Sequence, residues 1–160
     1  MNMNFKVALF TLFVGMASVN CYSESRVENL SPELRALLKQ EMVSIEKGMK
    51  AIIPAYISGE LSEISEIAGQ IKSSYILKQR ISEAQKHELH EKLPQDFISK
   101  DQELHKYAGM LEHASKEKNT ELIVFYYSKL LESCVGCHSQ YAGHRFPNLT
   151  SGRVNEKHQH

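Results

Sequence analysis

From residue 31 onward, apolar positions recur in steps of three and four, and four segments carry the pattern. In the first, Leu38, Met42, Ile45, Met49, Ile52 and Tyr56 follow at steps of four, three, four, three and four. That spacing lays one apolar seam along a helix. Ser31 reads as its N-cap, Pro32 suits the first helical position, and Glu33 lies at the positive end. Pro54 predicts a kink in the last turn, and Ser58-Gly59-Glu60 ends the helix. The second segment carries Leu61, Ile64, Ala68, Ile71 and Tyr75, and it runs on through Ile81 towards Leu89 before Pro94 closes it. The third places Ile98, Leu104, Ala108 and Leu111 inward and gives way to the polar run Ser115-Lys116-Glu117-Lys118-Asn119. Asn119 caps the fourth, whose seam is Ile123, Tyr127, Leu130, Cys134 and Cys137. No segment alternates as a strand would. Helices of about 20 residues with short links predict an all-α fold, an antiparallel up-down-up-down four-helix bundle.

Composition agrees with one helical domain. The chain has 160 residues, only four prolines and eight glycines, and no tryptophan. Lys plus Arg and Asp plus Glu number 19 each, so no basic surface for nucleic acid is expected.

The first residues read differently. Lys6 precedes an apolar run from Val7 to Val19, short for a membrane span and right for the core of a signal peptide. Residues 1–23 are expected to be a cleaved leader, 24–148 the bundle domain and 149–160 a polar, frayed tail. A retained anchor helix and lipidation at Cys21 are the alternatives, although Ser18-Val19-Asn20 lacks the leucine of a lipidation box. Export implies the periplasm, an oxidising compartment where free thiols become bonded or modified.

That setting sharpens the reading of Cys134-Val135-Gly136-Cys137-His138. On a helix, positions i, i+3 and i+4 share a face. Two thiols can bond the two vinyl groups of haem while the adjacent imidazole reaches the iron, and Gly136 leaves room for the porphyrin edge. Cys-x-x-Cys-His reads as c-type haem attachment. A thioredoxin-like redox motif would instead open a helix after a strand. Zinc would need a fourth ligand, for which His144 is a candidate, and usually a second ligand pair. A pair of buried cysteines in a purely structural bundle is the plainest alternative.

An exported helical bundle with its haem motif near the C-terminus resembles the class II c-type cytochromes, the cytochrome c′ group. The resemblance covers about residues 34–147 and rests on CVGCH, the helix pattern and GMKAIIPAYISGE in the first helix. It implies one haem c, fastened by Cys134 and Cys137 with His138 as proximal iron ligand. It also implies that a first-helix residue stands at the other axial position. Counting back from Pro54 and Gly59, that residue is Met42, with Val43 its neighbour and Met49 the lesser alternative on the same seam. Met42 ligation would favour one-electron transfer with redox partner proteins. An open position would favour binding of NO or CO. The family often has an arginine four residues after the haem histidine; here Ala142 stands there, and Arg145 is the candidate contact for a haem propionate. Members often form homodimers, which this sequence permits.

Other histidines carry less. His87 and His90 are three apart, not four as in the zinc-protease pattern, and read as a solvated helix end. His105 and His113 lack carboxylates at a useful spacing. Met110 reads as packing, and of Tyr126 and Tyr127 one belongs to the core.

Overall fold

The computed structural model describes residues 27–151. The expected leader with Cys21, residues 24–26 and residues 152–160 lie outside them. Among the described residues the chain is all-helical, without strands. After a 3-10 turn at Val27–Asn29 come α1 (Pro32–Ser58), α2 (Leu61–Ser73), α3 (Leu77–Arg80), α4 (Glu83–Lys92), α5 (Gln95–Lys116), α6 (Thr120–Tyr141) and α7 (Pro147–Ser151). Residues 149–151, expected in the tail, thus belong to a short helix.

Several ends follow the local chemistry. Ser31 Oγ accepts from the Leu34 N–H at 3.4 Å and donates to Glu88 Oε2 of α4 at 2.9 Å. α1 continues past Pro54 to Gly59, whose φ of 79° closes the helix in a conformation that costs glycine little. Asn119 Oδ1 accepts from the Leu122 N–H at 3.0 Å and starts α6.

The second expected helix is three helices. α2 stops at Ser73, and Ser74 takes a positive φ of 62°. The cause lies on α1. Glu41 is 1% exposed, and its carboxylate accepts from Ser74 Oγ at 2.9 Å and from the backbone N–H groups of Tyr75, Ile76 and Leu77 at 3.0, 2.6 and 3.2 Å. Those N–H groups would otherwise continue α2; instead they start α3 around an anion. On the other side of the break, His105 Nδ1–H of α5 donates to the Ile71 carbonyl at 2.7 Å. α4 begins at a capping box, with Ser82 and Gln85 each bonding the other's backbone N–H.

Glu41 also corrects the first seam. The buried face of α1 runs Leu34, Leu38, Glu41, Ile45, Gly48, Met49, Ile52 and Ala55. Met42, expected on the inward seam, is 36% exposed at its edge. One helix position is about 100° of rotation, so turning Glu41 inward swings Met42 aside.

The main core joins Ile45, Met49 and Ile52 of α1 to Ile64, Ala68 and Ile71 of α2, Ala108 and Leu111 of α5, and Ile123 and Leu130 of α6. α5 packs between α2 and α6, and α1 packs on α2. A second cluster gathers Leu30, Leu34, Leu38 and Leu93, with Phe97 against it, around the start of α1. Met110, expected to pack, is 38% exposed. Tyr126 and Tyr127 both pack partly against the core.

Two stability predictions follow from this junction. Glu41→Ala leaves partly buried backbone donors without an acceptor and is expected to cost about 2–4 kcal/mol in denaturant unfolding, far more than Glu46→Ala at the exposed face of the same helix. Burial pulls the His105 pKa down, but the Asp101 carboxylate and the Ile71 carbonyl outweigh it, so the net shift is upward. A raised folded pKa contributes stability that is fully present below the unfolded value and lost as pH rises through the folded one. The destabilisation caused by His105→Gln is therefore expected to be larger at pH 5.5 than at pH 9, measured by urea unfolding.

Candidate haem-attachment site

α6 carries the motif on its last two turns. Ile123 and Leu130 fix its buried face, and Cys134 and Cys137 continue that face as partly buried free thiols. His138 is half-buried beside them, its ring stacked on Phe146 with centroids 4.3 Å apart and planes 3° apart. The helix ends where the Ala142 N–H donates to the His138 carbonyl. Gly143 lets α7 fold back, since a Cβ there would meet Thr150 Cγ2 at 2.7 Å.

Burial governs the titration of all three groups. It pushes the Cys134 thiol up, and it raises Cys137 to about 11 with help from the Asp101 carboxylate. It lowers the His138 pKa, which leaves a neutral imidazole with a free nitrogen lone pair at neutral pH. A dithiol redox pair needs a stabilised thiolate, and this environment does the opposite.

Among the described residues no three His, Cys, Asp or Glu side chains converge as ligands of one ion. His144 instead pairs with Glu28 Oε1 at 2.9 Å. Haem c makes a different demand: the thiols bond the rim of the ring and only the imidazole meets the metal. Two thiols and a neutral imidazole along one helix face fit that demand. A Cβ on Gly136 would meet nothing within 4 Å, so the helix is open there as well.

The two sides of the motif differ. Towards α5, a cleft of about 150 Å³ beside Cys137 is lined by Lys100, Glu103, Tyr107, Lys129 and Glu132. It is polar and internally paired: Tyr107 Oη donates to Glu103 at 2.8 Å and Lys129 Nζ to Glu132 at 2.7 Å. Towards α1 the contacts are sparse. Tyr56 Oη donates to the Thr120 carbonyl at 3.4 Å, and Tyr127 Oη to the Met49 carbonyl at 3.3 Å. These two bridges are seven residues apart on each helix and run antiparallel. One further step of seven in that register pairs Met42 with Cys134. Met42 is 36% exposed, and Leu131 and Val135, flanking Cys134, are 45% and 50% exposed. Exposed apolar side chains thus lie near the motif at Met42, Leu131 and Val135.

Other expected residues are dispersed. Met49 is buried in the main core, and Val43 is exposed. The Arg145 side chain is exposed in the turn after α6, where its backbone N–H donates to the Ala142 carbonyl at 2.8 Å. His105, read as lacking a carboxylate, faces Asp101 one turn back, with Nε2 3.6 Å from Oδ1; the i, i+4 spacing was the available signal. The Phe146 stack spans eight residues and a turn and left no such signal. Tyr141 Oη donates to Asp96 Oδ2 at 2.7 Å and packs edge-on against Phe97, which ties the end of α6 to the start of α5.

In the haem-free thiol form, alkylation of Cys137 by iodoacetamide is expected to be slow at pH 8 and to rise with a midpoint near 11, followed by peptide mass. A midpoint at or below the ordinary thiol value of about 8.5 would contradict the buried geometry.

No protein-family model matches this chain, and no match was found among curated proteins or solved structures.

Proposed function

We propose that this chain is an exported monohaem c-type cytochrome that carries single electrons in the periplasm. The observation that carries the reading is the Cys134, Cys137 and His138 set: one helix face, partly buried thiols, a neutral imidazole, and a flank of exposed apolar side chains. When bound, haem supplies the Fe(III)/Fe(II) couple.

The chain's residues have separate tasks in this reading. Cys134 and Cys137 would hold the haem as thioethers, each S–H adding across one vinyl group without net oxidation. His138 would offer its nitrogen lone pair to the iron. Leu131 and Val135 exclude water from the flank. Met42 would be the second iron ligand, supported by its register opposite Cys134, one step of seven beyond the two tyrosine bridges. Arg145 is the proposed propionate contact. α1, α2, α5 and α6 make up the proposed antiparallel four-helix bundle, with α3 and α4 as an elaboration of its second connection. Redox proteins are the partners, and a homodimer is compatible with the exposed apolar residues of α1.

The second reading is a five-coordinate haem protein that binds NO or CO. It is favoured by Glu41, whose bonds hold α1 in a rotation that turns Met42 off the inward seam.

Visible and near-infrared spectra of the purified oxidised and reduced protein decide between them. A low-spin spectrum with a thioether-to-iron band is expected. Met42→Ala should abolish that band, lower the midpoint potential and admit CO. A high-spin spectrum that binds CO readily and ignores the substitution would establish the gas-binding reading instead.

A further inference from the structure

We propose that Phe146 is a positioning residue for His138, its ring fixing the plane in which the imidazole presents its nitrogen to iron. This rests on the haem reading above. A metal-bound histidine ordinarily donates its second ring N–H to a carboxylate, carbonyl or water, and that bond sets the ring's orientation. Among the described residues no hydrogen bond or ion pair reaches the His138 ring. What reaches it is Phe146, nearly parallel at 3° and centred 4.3 Å away.

Phe146 is held where it can do this. Its N–H donates to the Ala142 and Gly143 carbonyls at 3.1 and 3.2 Å, and its own carbonyl accepts from the Leu149 N–H at 3.0 Å. Gly143 seats Thr150 of α7 against the turn, and His144 fastens it to Glu28 ahead of α1. Phe146 is itself 39% exposed, so it is not placed there by burial in a core. Stacked rings favour parallel planes, an orientational preference that an aliphatic side chain of similar size does not supply.

The test compares wild type with Phe146→Tyr, which keeps the ring plane, and Phe146→Leu, which keeps apolar bulk without a plane. The electron paramagnetic resonance of the oxidised, haem-loaded protein follows the imidazole plane. Wild type and Phe146→Tyr are expected to give one matching species, and Phe146→Leu a broadened or divided signal at an unchanged melting temperature. A Phe146→Leu signal identical to wild type would overturn the proposal. Attachment is read separately, from absorbance that stays with the denatured chain. A colourless wild-type chain overturns the haem reading and this inference with it; a coloured one with an indifferent Phe146→Leu overturns this inference alone.

Discussion

The buried Glu41 carboxylate constrains most of what surrounds it. A carboxylate removed from water must find donors, and it finds four, all in the segment that follows α2. Meeting that demand turns the α1 seam, halts α2, and starts α3 around the anion. It also anchors α1 against its neighbours at one residue from Met42. In the proposed haem reading, Glu41 would therefore set how far Met42 must reach towards an iron held by His138.

α6 mediates between two unlike surroundings. On its α5 side, Lys129 pairs with Glu132 and Glu103 accepts from Tyr107 across a cleft beside Cys137. On its α1 side, two tyrosine hydroxyls span the gap and apolar side chains stay exposed. Apolar surface left open beside two thiols and an imidazole is what a large, flat, apolar group would cover. Burial raises the pKa of both thiols and so disfavours thiolate chemistry at this pair.

Much of the fold was legible because it depends on neighbours in sequence. The caps at Ser31 and Asn119, the stop at Gly59, and the seams of α5 and α6 are all local signals. The capping box at Ser82 and Gln85 is a local signal that the sequence reading passes over, because the apolar period runs on through it. Glu41 was not legible, because a charged residue between seam positions reads as solvent-facing unless its distant donors are known. Met42 was misplaced for that reason. The site divided the same way: Cys134, Cys137 and His138 follow from spacing, whereas the Phe146 stack and the Tyr bridges to α1 depend on how the chain folds back.

Covalent haem on the cysteine pair can be read from the intact mass of the denatured chain, made in a host with c-type cytochrome maturation, beside a Cys134→Ser, Cys137→Ser double variant. One added haem is expected on the wild type and none on the variant. A wild-type chain at its polypeptide mass under those conditions, or an equal addition on both, would contradict that attachment.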